Sequence, residues 1–143
     1  MKYLLDTNIL SEPLKASPDQ KVMSMLQAHQ DDLVTATLVI HELYFGCYRL
    51  AASRKRDTIE AFINKAVIDT IPLLPYCDKA AEWHAQERAR LQKDGRTPSF
   101  ADGQIAAIAF INRTTLVTRN ISDFKYFSNI ELVCWHSGHT QLL

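Results

Sequence analysis

The stretch KYLLDTNIL, residues 2–10, decides how the rest of the chain is read. Residues 2–6 form a short apolar run closed by Asp6, Thr7 and Asn8, residue types that favour caps and turns. The pattern predicts a buried strand whose carboxyl end turns into a helix, which puts Asp6 at a strand tip. Three further acids stand in separate, recognisable contexts: Glu42 in TLVIHELYFG (37–46), Asp102 in SFADGQIAAIA (99–109) and Asp123 in VTRNISDF (117–124). An ionised carboxylate among apolar neighbours is costly to desolvate, and several drawn together repel unless a cation lies between them. A hard divalent metal is the simplest partner for such a set.

Outward from that strand, Ser17, Pro18 and Gln20 read as a capping-box start for a helix running to about His29, with Val22, Met25 and Leu26 as its buried stripe. Residues 33–36 read as a second strand, after which Thr37 is placed to cap a helix carrying Val39, Ile40, Leu43, Tyr44 and Cys47. Ser53 caps the next helix, with Ile59, Phe62, Ile63 and Ala66 facing inward. Residues 67–74 alternate and contain Pro72, which predicts a short third strand near a sheet edge. A long helix over about 77–93 is stopped by Gly95 and Pro98, and Ser99 opens another through Ile105, Ile108 and Ala109. Residues 115–118 and 130–133 read as the last strands. Alternating strands and helices favour an α/β fold with a mainly parallel sheet, in which ligands bind outside the carboxyl ends of the strands. Asp6 and the segment after Thr118 belong there.

A chain of 143 residues suits one domain, taken here as 1–143, with neither repeat nor linker. Sixteen basic residues balance 16 acidic ones, so any nucleic-acid surface must come from local clustering. Arg49, Arg54, Lys55 and Arg56 form one basic patch, and Arg88, Arg90, Lys93 and Arg96 another; each also fits a solvated helix face. Cys47, Cys77 and Cys134 are odd in number and scattered, which argues against a disulfide framework or zinc site. The amino terminus lacks signal-peptide sections and no apolar run approaches about 20 residues, so the expectation is a cytoplasmic protein with no membrane span.

Each acid has a plainer reading. Glu42, flanked one turn away by Leu38, Val39, Phe45 and Gly46, could be a buried acid paired with an Arg. Asp102 could complete a capping box with Ser99, Asp6 could be a helix cap, and Asp123 could be a turn residue. Other chemistries fit less well. His41-Glu42 lacks the second His of a zinc-protease helix, because Phe45 stands there. His136 and His139 read as a surface pair, Trp83 and His84 as packing residues, and no Walker A, G-x-S-x-G or G-x-G-x-x-G occurs.

With these residues in place, the chain resembles the PIN-domain ribonucleases, and within them the VapC toxins of bacterial toxin-antitoxin pairs. LLDTNILSE (4–12), His41-Glu42-Leu43 with Gly46, the Asp102-Gly-Gln-Ile-Ala-Ala helix and Val117-Thr-Arg-Asn match the family's motifs in order and spacing over nearly the whole length. The resemblance implies a three-layer α/β/α sandwich around a mainly parallel sheet, with Asp6, Glu42, Asp102 and a fourth acid lining one cleft and Thr118 supporting it. The fourth acid often falls two residues after this Thr; here Asn120 stands there and Asp123 is the nearest acid. The resemblance further implies Mg²⁺ or Mn²⁺ held primarily by Asp6 and Asp102, and RNA hydrolysis leaving a 5′-phosphate and a 3′-hydroxyl. It also implies a homodimer and a VapB-like antitoxin whose Arg approaches the acids. Leu14, Val22, Met25, Leu50 and Phe62 are available to an interface, although ordinary core is their commoner fate. Two competing readings are a non-catalytic PIN-like module binding RNA or protein, and an aspartyl-phosphate protein using Asp6. The second conflicts with Asn8, where such a phosphatase wants a second Asp.

Overall fold

The computed structural model describes residues 1–138, and places the first strand at the centre of the molecule. Among the described residues five strands, β1 (Tyr3–Leu5), β2 (Leu33–Ala36), β3 (Leu73–Leu74), β4 (Thr115–Val117) and β5 (Glu131–Val133), form one sheet in the order β3-β2-β1-β4-β5. Every pairing is parallel, with Leu4 beside Val34 on one side and Leu116 on the other. A parallel sheet is covered on both faces, so its inner strands are continuous apolar runs; Leu4, Leu5, Leu116 and Val117 are fully buried.

The helices are α1 (Thr7–Leu10), α2 (Gln20–Ala28), α3 (Thr37–Tyr48), α4 (Arg54–Phe62), α5 (Asp78–Lys93), α6 (Phe100–Ile111) and α7 (Ile121–Phe124). The chain steps outward from β1 through β2 to β3, then returns to the far side of β1 for β4 and β5. Right-handed crossovers therefore lay the connections on both faces, giving three layers. The reversal between β1 and β4 is the topological switch point, where a crevice opens beyond the strand ends. Asp6 follows β1 and Thr118 follows β4, so the two border that crevice.

Several local expectations change. Asp19, not Ser17, caps α2: its Oδ1 accepts from the Val22 amide at 3.1 Å, and its carboxylate also accepts from the Ser137 amide and hydroxyl at 2.9 and 3.0 Å. Thr37 is the first residue of α3 rather than its cap, a position held by Ala36 without a side-chain bond. Most of the third strand is missing. Residues 63–68 continue α4 as a wide π-type turn that buries Ile63 and Val67 four residues apart, leaving only Leu73 and Leu74 to pair at the edge. Ser53 and Ser99 cap α4 and α6 as expected. No helix among the described residues is long and apolar enough to cross a membrane.

Val22 lies in the core, and Met25 and Phe62 pack against it half-buried. The most buried helix is α6, where Ile105 through Ala109 have almost no exposure. Its four small and two branched inward residues let it pack closely, and that burial fixes the helix end carrying Asp102.

Candidate active site

The Asp6 carboxylate is buried and held at both oxygens. Oδ1 accepts from the Thr7 amide at 2.8 Å, the first free N–H of α1, and Oδ2 accepts from the Thr118 hydroxyl at 2.9 Å. Asp6 is thus a helix cap after all, and the cap leaves it anchored rather than spent. Thr118 is itself positioned by the Asn120 amide, which donates to its Oγ1 at 3.0 Å, and by its own amide on the Val133 carbonyl. Asn120 supports the site through its backbone, and its side chain is exposed.

Glu42 projects from α3, and its Oε2 accepts from the Thr7 hydroxyl, so Asp6 and Glu42 are orientated by adjacent groups of one residue. Asp102 lies in the first turn of α6, where its amide donates to Ser99 Oγ at 3.1 Å. Asp123 occupies the first turn of α7 and is exposed. Sequence motifs pointed to the four acids; the signal for Thr7 was its place in the same Asp-Thr-Asn triplet, but its partner Glu42 is 35 positions away.

The acids act on one another electrostatically. Burial pushes Asp6 above its ordinary carboxylate value; the Thr7 and Thr118 hydrogen bonds oppose this, and the charges of Glu42 and Asp123 reinforce it. Burial likewise raises Asp102, opposed by Ser99 and reinforced by Asp123 and Asp6. Among the described residues, none of the four pairs with a Lys, Arg or His, so the buried acid-Arg pair considered for Glu42 does not form. Asp123, the least secure of the four by motif, is close enough to act on both Asp6 and Asp102.

The donor set is carboxylate and hydroxyl oxygen, which suits Mg²⁺ or Mn²⁺ rather than a softer ion. Among the described residues no three ligand groups stand at single-ion spacing. Asp102 and Asp123 also line a cleft of about 360 Å³ with Arg96, Ser99, Ser122 and Tyr126. Larger concavities, one bordered by Lys79 and Glu131 and the other by Leu26 and Phe62, contain none of the four acids.

A stability prediction follows from the raised carboxylates. Asp6 and Asp102 favour folding most when protonated: their contribution is fully present below the ordinary value of 3.8 and is lost as pH rises through their raised folded values. Glu12, Glu87 and Asp19 have lowered values, that of Asp19 about 2, and act in the opposite sense, losing their contribution only as pH falls below the ordinary range. In EDTA, Asp102→Asn should therefore melt close to the parent near pH 4 and increasingly above it toward pH 7. Melting curves across that range test the sign, and an advantage that shrinks with rising pH contradicts it.

Two other groups depart from expectation. His136 is buried rather than at the surface, with Nε2 3.4 Å from Glu12 Oε1, and burial lowers its basicity; its suggested partner His139 lies outside the described residues. His84 is a packing residue, as expected, but a constrained one. Its Nδ1 is 2.8 Å from the Tyr76 hydroxyl, and a Cβ on Gly103 would come within 2.1 Å of its Nε2. Gly103 directly follows Asp102, so this contact sets how closely α6 approaches α5 at the acid cluster.

Residues 3–128 match the family model described as PIN domain. The chain is 29% identical over 136 residues to Toxin FitB of Neisseria gonorrhoeae, covering 93% of this chain and 98% of that protein. It is 30% identical over 125 residues to VapC ribonuclease Y4jK of Sinorhizobium fredii, covering 85% and 89%. A solved structure of FitAB bound to an IR36 DNA fragment superimposes with a TM-score of 0.86 at 27% identity, over 96% of this chain and 98% of that one. With its parallel sheet, its switch-point acids and a family match over most of its length, the chain belongs to the PIN-domain family, in the group that holds the VapC and FitB proteins.

Proposed function

We propose that this protein is a divalent-metal-dependent endoribonuclease that hydrolyses RNA phosphodiester bonds in the cleft formed by Asp6, Glu42, Asp102 and Asp123, and that it serves as the toxin of a toxin-antitoxin pair. What supports the reading is that Asp6 and Glu42 are tied through Thr7, that Asp102 and Asp123 line one cleft, that Asp6 and Asp102 are raised by burial and by their acidic neighbours, and that among the described residues none of the four pairs with a Lys, Arg or His. Stable folding does not require such a cluster, and relatives named as a toxin and a ribonuclease share the chain over most of its length.

Asp6 and Asp102 are assigned as the metal ligands, Asp6 because Thr7 and Thr118 fix both its oxygens. Glu42, steadied by the Thr7 hydroxyl, and Asp123, on α7, would orient the attacking water or complete the ion's shell. The ion, when bound, supplies Lewis-acid stabilisation of the phosphodiester's developing charge and a more acidic water. Thr118 and the Asn120 amide keep the Asp6 carboxylate from rotating away. The substrate is RNA in single-stranded or loop form, which enters such a cleft more readily than duplex. A homodimer and a VapB-like antitoxin complete the assembly, since carboxylates are natural receptors for an antitoxin guanidinium.

The test is incubation of purified protein with single-stranded RNA in Mg²⁺, Mn²⁺ or EDTA. Cleavage is expected with either ion, lost in EDTA and restored by excess Mg²⁺. Undiminished cleavage in EDTA would remove the metal from the proposal.

A further inference from the structure

Beside the acids the chain displays an aromatic ring that its fold takes care to fix. Phe124 and Phe127 are buried in the core, which turns Tyr126 between them outward, 45% exposed. The backbone beneath it is clamped to α5. Arg90 donates from Nη2 to the Tyr126 carbonyl at 2.8 Å, and its guanidinium makes two bonds, 3.0 and 2.9 Å, to the buried Glu87. Glu87 in turn accepts from the Ser128 amide at 2.6 Å. A largely buried carboxylate with a two-bond guanidinium partner is a rigid support, and here its remaining bonds go to the turn that presents Tyr126.

Tyr126 lines the same cleft as Asp102 and Asp123. Two cations attend its ring: Arg96 with its guanidinium carbon 4.3 Å from the centroid, and Lys125 with its ammonium nitrogen 5.1 Å away. Both side chains belong to exposed residues, so neither is locked in place. An exposed cation–π contact is weaker than base stacking on the same ring, so an arriving base can displace a cation toward its own phosphate.

We propose that Tyr126, Arg96 and Lys125 form a nucleotide subsite that stacks one unpaired base of single-stranded RNA next to the bond to be cut, an inference that rests on the nuclease reading above. Tyr126 takes the base face, while Arg96 and Lys125 neutralise the adjoining phosphates that the acid cluster alone would repel. The two cations on this ring favour a polyanion at the Tyr126 position itself, whereas the acids beside it are where an antitoxin Arg would go. Stacking on one ring tolerates any base, so the subsite selects unpaired RNA rather than a sequence.

The test uses the full chain carrying Asp6→Asn, so that bound RNA stays intact, and a fluorescein-labelled single-stranded RNA that the parent protein cleaves. Adding Tyr126→Ala or Tyr126→Leu is expected to weaken binding about tenfold, with Tyr126→Phe close to unchanged. An abasic nucleotide, moved along the RNA, should produce a matching loss at one position beside the cleavage point, and Tyr126→Ala should be insensitive to it there. Circular dichroism checks that the variants fold, and the Leu variant separates loss of the ring from loss of apolar area. Independent, multiplicative losses from the abasic nucleotide and Tyr126→Ala overturn the subsite. So does unchanged RNA binding accompanied by weakened antitoxin binding, which assigns the ring to the antitoxin. RNA that is bound and cut normally by a Tyr126→Ala protein with Asp6 intact overturns the subsite and leaves the nuclease reading standing. Failure of the parent protein to bind or cut any RNA overturns both.

Discussion

On the proposed nuclease reading, Asp6→Asn is expected to reduce RNA cleavage in Mg²⁺ by at least about a thousandfold, equivalent to roughly 4 kcal/mol of transition-state stabilisation, while the protein stays folded. Asn preserves the size of the side chain and one acceptor for the Thr7 amide and Thr118 hydroxyl that hold Asp6. It removes the formal charge, and only the charge gives a divalent ion a reason to occupy a buried position. Asp102→Asn is expected to behave alike, because Asp102 is the other acid pushed upward by burial and by its acidic neighbours. Thr118→Val should be milder, about 10- to 100-fold, since it leaves the carboxylate in place but frees it to rotate. Initial rates of cleavage at saturating Mg²⁺ measure all three. Activity within tenfold of the parent in Asp6→Asn would take that residue out of the chemistry.

The second large effect comes from a residue that touches no substrate. Gly103→Ala places a methyl 2.1 Å from the His84 ring nitrogen, and the ring has little room to retreat: it is buried, lies against Phe100 and is held at its other nitrogen by Tyr76. Overpacking of this kind costs about 1–3 kcal/mol, read as a lower urea midpoint at unchanged slope. Relief requires α6 to move away from α5, and Asp102 moves with it, so activity falls as well. His84→Ala in the same chain removes the obstruction. The double variant should therefore be less destabilised than the sum of the two single changes, by about 1 kcal/mol or more. Simple additivity, or a Gly103→Ala protein of parental stability, would show that the helices are not in contact through this pair.

How far these features were legible in the sequence depended on the range of the interaction behind them. The first strand, α6 and the Ser53 and Ser99 caps were readable because apolar period and capping are settled within a few residues. The Asp19 cap was misread as Ser17, and part of the reason is remote: the same carboxylate binds Ser137, 118 positions away. The strand expected at 67–74 shrank to two residues because Ile63 and Val67 share one helical face and bury together, and that burial outweighed an alternating pattern over a few positions. His136 looked like a surface residue next to His139, yet it packs against Glu12 at the opposite end of the chain.

The same division runs through the site. By itself the sequence determined an alternating α/β chain and the placement of Asp6 at a strand tip and Asp102 in the first turn of a helix, since those follow from hydrogen-bonding and apolar period over adjacent residues. Only the tertiary structure decided which groups meet around the acids: Thr7 reaches Glu42, and Asp102 and Asp123 line one cleft. The strand order sets β1 directly beside β4, so that a hydroxyl 112 positions downstream steadies Asp6. It also decided that Tyr126 is fixed beside them, because the Glu87 and Arg90 pair that clamps its backbone lies on a separate helix. Long-range contacts of this kind depend on how the layers stack, which local sequence preferences do not encode.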